Sequence, residues 1–199
     1  MDYQKVFRMC KKIDEINGLK AEDILQKYWY SNGYSYPVDI AKILYDMDIR
    51  VWPFDFSKTK DNSDSKILGA MVADDKNLAL FYQTGETKNR NRFTLAHELA
   101  HCCLYHINEN EMPYIEYRHE GNLDDQNEIE ANIFAGDLLI PIRYLREVLS
   151  NNYLNKFPSS VKLAKTFAVS VNVMEERLKY LNIPFIDAYN RKIVPVCGE

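Results

Sequence analysis

The stretch "RFTLAHELAHCCLYH", residues 92–106, places His97 and His101 four positions apart, with Glu98 directly after the first histidine. On an α-helix, positions with this spacing lie one above the other, so both imidazoles can aim a nitrogen at one point. Glu98 lies about 100° around such a helix from His97 and about 60° from His101, at the flank of that point. Two imidazoles beside a carboxylate are the materials of metal-assisted hydrolysis. The imidazoles hold a zinc ion that polarises a carbonyl, and the carboxylate takes the proton of an attacking water. All the histidines of the chain, His97, His101, His106 and His119, fall in one short interval. Around the first two, Phe93, Leu95, Ala96, Leu99, Ala100, Cys102, Cys103 and Leu104 are apolar on almost every side. Burying the imidazoles and the carboxylate with unmet hydrogen bonds would cost about 1–3 kcal/mol per group, and more for a charge. A bound metal removes that conflict.

A catalytic zinc takes three protein ligands and keeps one position open, so a third ligand must come from another element. His106 is about two and a half turns beyond His97 and points to the opposite side of an unbroken helix. The segment "EIEAN" offers Glu128 and Glu130, which lie about 200° apart on a helix, so only one of them can serve. Glu128 fits better. Asn132, one turn on, shares its face and can accept the outer N–H of a ligating histidine, which fixes the tautomer. Ala131, Ala135 and Gly136 are small enough to let this helix approach the first closely. A competing reading makes Glu128 the partner of Asp125 in a capping box, or one charge of an acidic first turn that the helix dipole favours.

These side chains need two helices and a support that brings them together. Upstream, "AEDILQKYWY" has helical spacing and stops at Gly33. "YPVDIAKILYDMDI" starts a helix at Pro37, with Ile40, Ile43, Leu44 and Met47 on one face. "DIRVWPF" reads as a short strand cut off by Pro53, and "DFSKTKDNSDSK" as a polar loop. "ILGAMVADDKNLALFY" predicts a hairpin around Asp74 and Asp75. Residues 110–125 read as a loop with a short edge strand at "YIEYRH". "QNEIEANIFAGDLLIP" returns to helical spacing and ends at Pro141, and "IRYLREVLSNNYL" forms another amphipathic helix. "SSVKLAKTFAVSVNVMEERLKYLNI" splits into two short helices around "AVSV", the outline of a helix-turn-helix. It carries no excess of positive charge, which favours a packing role. The expectation is an α+β fold in a single domain over residues 1–199, with a core at about 34–150 and a helical C-terminal segment at 151–199.

Composition excludes several classes. With 46% hydrophobic and 27% charged residues the chain is globular, and no run approaches the roughly eighteen apolar residues needed to span a bilayer. The opening "MDYQKVFRMCKKIDEINGLK" lacks an apolar signal region, so a cytoplasmic location is expected. A net charge of −4 and a pI near 5.6 argue against a large phosphate-binding surface, so direct nucleic-acid binding is not expected. Cys10, Cys102, Cys103 and Cys197 lack paired C-x-x-C spacing and read as reduced, mostly buried thiols.

The segments "RFTLAHELAH" and "EIEANIFAGDLLIP" together resemble the paired signature of the ImmA/IrrE family of zinc-dependent metallopeptidases, most closely over residues 92–141. The resemblance implies His97 and His101 as metal ligands, Glu98 as general base, Glu128 as the acidic ligand and Asn132 as the asparagine after the "EA" pair. It implies a gluzincin-like core, with a small twisted β-sheet packed against metal-bearing helices and a mostly helical C-terminal part. One Zn²⁺ is the implied cofactor, although nitrogen and carboxylate ligands also accept Mn²⁺ or Fe²⁺.

Members of that family often cleave or otherwise inactivate a helix-turn-helix repressor, releasing stress, phage or mobile-element genes. Many carry an N-terminal DNA-binding domain of their own. Here about thirty residues precede "YPVDIAKIL", too few for that unit, so a separately encoded repressor is the expected partner. The alternatives are a metal-binding anti-repressor that sequesters its partner uncut, and a DNA-binding regulator using residues 160–180. The donor that steadies the oxyanion is expected between the ligand-bearing helices, at His119 first and at Tyr114 or Tyr117 next. Arg118 is expected to orient substrate, and His106 to pack or cap.

Overall fold

The computed structural model describes residues 15–59, 66–74, 77–104, 114–119, 125–153 and 156–195. Cys10, His106, Cys197 and the first part of the expected N-terminal helical region lie outside the described residues. Helix α1 is Ala21–Tyr28. It gives way to a tight turn at Tyr30–Asn32 that ends on Gly33, whose φ of 71° lies in the left-handed region that glycine occupies without strain. Helix α2, Ile40–Asp46, starts later than Pro37. The Asp39 carboxylate accepts the N–H groups of Ala41 and Lys42 at 3.1 and 3.3 Å, and this cap sets the boundary.

Four strands follow: β1 at Arg50–Phe54, β2 at Ile67–Asp74, β3 at Asn77–Gln83 and β4 at Tyr114–His119. They form one mixed sheet in the order β1-β3-β2-β4. The expected hairpin is β2–β3; β1 runs parallel to β3, and β4 pairs antiparallel with β2. Contrary to the expectation at Pro53, β1 continues through it to Phe54. The strand is at the edge of the sheet, where a residue without an N–H leaves no neighbour unpaired.

Alternation along the strands gives the sheet two unlike faces. Met71, Ala73, Leu78 and Leu80 belong to the main hydrophobic cluster. Ala70, Val72, Ala79 and Phe81 join Phe56 and Ile67 in a smaller one, with Phe54 and Tyr117 packed against it.

Helix α3, Lys88–Cys103, lies across the first face, and α4, Gln126–Leu139, packs along α3. Pro141 separates α4 from α5, Ile142–Asn152. Helices α6, Ser160–Phe167, and α7, Val171–Tyr180, meet at a turn where Ala168 takes a φ of 51°, and a two-stranded pairing of β5, Phe185–Ile186, with β6, Ile193–Val194, follows. The main cluster runs from Ile16 to Phe185 and takes in Leu163, Phe167, Met174 and Leu178, so the last two helices share the core of the rest. Their turn is also tied to α3. The Arg92 guanidinium donates to the carbonyls of Ala168 at 2.6 Å, Phe167 at 3.4 Å and Val38, and the Asn89 amide donates to the Val169 carbonyl at 3.1 Å. The fold is α+β, with seven α-helices and a small mixed sheet among the described residues. No helix among them is long and apolar enough to cross a membrane.

Candidate metal centre

Helix α3 starts where the Thr87 hydroxyl accepts the Arg90 N–H at 3.3 Å, and every residue from Thr94 to Cys103 is buried. Its buried polar residues are Thr94, His97, Glu98 and His101, at 1%, 0%, 1% and 2% exposure. Helix α4 starts at Asp125, whose carboxylate accepts the Asn127 N–H at 2.8 Å. Glu128 does not complete a capping box there. Its carboxylate turns to α3, with Oε2 3.3 Å from His97 Nε2 and Oε1 3.3 Å from His101 Nε2. The two Nε2 atoms are 2.9 Å apart.

Metal–ligand bonds of about 2.0–2.1 Å at tetrahedral angles set ligand atoms about 3.3 Å apart. Two sides of the His97–His101–Glu128 triangle have this length, the side between the imidazoles is shorter at 2.9 Å, and the group could hold a metal ion. Asn132, one turn beyond Glu128, places Oδ1 3.0 Å from His97 Nδ1. With the Nδ1–H donating to that oxygen, the Nε2 lone pair of His97 is left facing the triangle's centre.

Residues 46–179 match the family described as Peptidase_M78, the IrrE N-terminal-like domain. The chain belongs to that family. It therefore carries a metallopeptidase-type domain, and the matched span includes both helices of the triangle as well as α6 and almost all of α7. No match was found among curated proteins.

The electrostatics of this Peptidase_M78 member suit a cation. Burial is the first cause that pushes the His97 imidazole down to about 3, the nearby Arg118 charge is the next, and both outweigh the pull of the Glu128 carboxylate as a hydrogen-bond acceptor. His97 is thus neutral at physiological pH, the form a metal requires. Burial raises the Glu128 carboxyl, yet the hydrogen bonds to His101 and His97 prevail and hold it below the usual carboxylate range. Arg118 stands over the Phe93 ring at 5.1 Å. Burial lowers its guanidinium, while Glu98 and Glu128 support the charged form.

Gly69 is a contact that the α3 and α4 motifs do not disclose. A Cβ built on it would sit 2.4 Å from Thr94 Cγ2, 3.0 Å from the Phe81 carbonyl oxygen and 3.3 Å from Glu98 Oε1. Strand β2 thus passes close against α3 beside the Glu98 carboxylate, and no other residue type fits there without displacement. The signal was a lone glycine within an apolar strand. The register of β2 against β4 skips from Ile67 to Gly69, which makes Leu68 the extra residue of a bulge, and Leu68 lines the cleft over the site.

The residues proposed between the ligand helices separate. Arg118 lines the cleft, whereas the Tyr117 ring packs against Phe56 at 6.2 Å in the cluster on the far face. His119 pairs in register with Ile67, a member of that far cluster, and the side chains of His119 and Tyr114 lie outside the described residues. The cleft itself has a volume of about 890 Å³ and also takes in Glu128 and Asn132.

Proposed function

We propose that the protein is a zinc-dependent endopeptidase that hydrolyses a peptide bond in a separately encoded helix-turn-helix repressor, in the cytoplasm, and so relieves repression of stress, phage or mobile-element genes. One observation carries the catalytic part of this reading: His97 and His101 from α3 and Glu128 from α4 converge, with Glu98 buried beside them. The resemblance of "RFTLAHELAH" and "EIEANIFAGDLLIP" to the ImmA/IrrE signature supports the choice of substrate.

His97, His101 and Glu128 would hold the ion, and Asn132 would keep His97 in the ligating tautomer. Bound there, zinc supplies Lewis acidity toward the scissile carbonyl and a more acidic water; Mn²⁺ or Fe²⁺ would suit the same donors. Glu98 takes a proton from the attacking water and returns it to the departing amine. The absence of a side chain at Gly69 leaves the space beside β2 that the Glu98 carboxylate needs for both transfers. Arg118, a fixed positive charge on the cleft wall, orients the substrate backbone and favours negative charge developing at the carbonyl.

The test incubates the protein, loaded with zinc or stripped of it, with the repressor encoded beside its gene. Cleavage should require zinc and fall by about 10²–10⁴ in Glu98→Gln while metal content stays unchanged. Equal cleavage by both forms would remove Glu98 as the base. Tight binding without cleavage by either would favour the sequestering anti-repressor.

A further inference from the structure

Helices α6 and α7 have the outline of a nucleic-acid reader, yet their position gives α7 a different neighbour. Arg92 and Asn89 of α3 hold the α6–α7 turn, and Arg177 of α7, itself buried, donates to the Asp137 carboxylate of α4. Between these anchors α7 becomes one wall of the cleft whose other end contains Glu128 and Asn132. From Glu128 to Gly136 helix α4 rises about 12 Å, the span of about three or four residues of extended peptide.

Beside these polar groups the cleft also has an apolar part. Ile129 and Ile133 of α4 and Val173 and Tyr180 of α7 line it. Ile129 is 40% exposed and Tyr180 is 57% exposed, so large apolar side chains stand open to solvent on two walls of one cleft. The charges on this wall are matched within the protein: Arg177 with Asp137, and Glu176 with Lys179 at 2.7 Å. Apolar area, not charge, is what the wall offers to a ligand.

We infer that α7 is the substrate-reading wall of the site, and that Tyr180 and Val173, with Ile129 and Ile133, take one large apolar side chain of the peptide that is cut. The inference rests on the peptidase reading for its reaction, and the occupant is the substrate because the groove is continuous with the metal centre.

A randomised ten-residue peptide library tests it. With the zinc-loaded protein, products should show Leu, Ile, Phe or Met enriched at one fixed distance from the cut. Tyr180→Ser and, separately, Val173→Ser should erase that enrichment and raise KM for a selected peptide by about tenfold with kcat nearly constant, the discrimination a lost apolar contact gives. The same peptide should bind the Glu98→Gln form, and bind it about tenfold more weakly once Tyr180→Ser is added. Thermal melting of each variant checks that the fold is intact. Cleavage with no apolar preference, or a preference unchanged in both Tyr180→Ser and Val173→Ser, overturns the assignment while leaving the peptidase reading standing. If the wild type cuts nothing but Glu98→Gln still selects apolar peptides that the double variant loses, the peptidase reading falls and the wall survives.

Discussion

On the sheet face that meets α3, Gly69 leaves no space for a methyl group, since a Cβ there would lie 2.4 Å from Thr94 Cγ2. On the opposite face, Phe56 meets Tyr117 and Phe54 meets Phe81 edge to face, with ring centres 6.2 and 6.3 Å apart. Both faces bury apolar area and so both stabilise the sheet. They differ in what lies behind that area. Behind the first are a carboxylate, two imidazoles and a second helix; behind the second is a small aromatic cluster with no polar constellation among the described residues. A change on the α3 side should therefore register in metal and turnover, and a change on the far side in stability alone.

The largest effect on turnover is expected from Glu128→Ala. It removes one corner of the triangle, so the variant should retain no zinc after dialysis, lose all cleavage and show no rise in Tm when zinc is added. The wild type should show that rise, because a ligand bound only by the folded state adds its binding energy to folding. Elemental analysis and melting curves read both. Glu98→Gln comes next. It should keep the metal and the Tm shift but lower kcat by about 10²–10⁴, the usual contribution of a positioned general base. A variant that lost metal as well would mean that Glu98 supports the ligands rather than the chemistry.

Gly69→Ala is the sharpest test of the two-face contrast. The added methyl must displace Thr94, Glu98 or the strand, at a cost of about 1–3 kcal/mol for overpacking. Displacing the carboxylate by a fraction of an ångström should lower kcat by about 10–100-fold, since misplacement near 1 Å can cost the larger figure. Zinc content should not change, because Gly69 does not touch the histidine–glutamate triangle. A Tm loss with full kcat would break the contrast.

Much of the centre could be read in the chain because helical periodicity alone determines it. The spacing of His97 and His101 fixes their common face, and the angles between Glu128, Glu130 and Asn132 decide which of them turn to α3. Those relations survive whatever the tertiary packing. Gly69 was not legible as a site residue, because its role depends on how close one strand comes to one helix. Tyr117 and Arg118 could not be told apart for a related reason. Adjacent strand residues point to opposite faces, and which face belongs to which depends on a pairing that the bulge at Leu68 resets. The task of α7 was hidden because an amphipathic helix pair looks the same whether its outer face meets solvent or a cleft. Pro53 misled because edge and central strands cannot be distinguished before the sheet order is known.

On the far face, Phe56→Leu should lower stability by about 1–3 kcal/mol, measured by denaturant melts, with kcat and KM unchanged at a temperature well below Tm. A fall in kcat would show that the far cluster sets the position of β2 and hence of Gly69, and the two faces would then be one device.

The smallest effect tests whether strain at Gly69 stays local. Cys103 lies in the last turn of α3, is 1% exposed, and has its thiol pushed by burial from 9.0 up to about 12. Thiol reagents need both access and thiolate, so iodoacetamide at pH 8 should leave Cys103 unlabelled in the native protein and label it in denaturant, as peptide mapping would show. The folded pKa lies above the unfolded one, so the unfolded state binds fewer protons above pH 9.0, and this thiol's contribution to stability falls as pH rises toward about 12. Cys103→Ala should remove that part of the alkaline loss. In Gly69→Ala the same label becomes a position sensor. Labelling as slow as in the wild type would mean that only the Thr94–Glu98 end of α3 has moved, and that the loss of kcat comes from the carboxylate. Faster labelling would mean that the whole helix has lifted from the sheet, and the methyl group would then be acting through stability, as a change on the far face does.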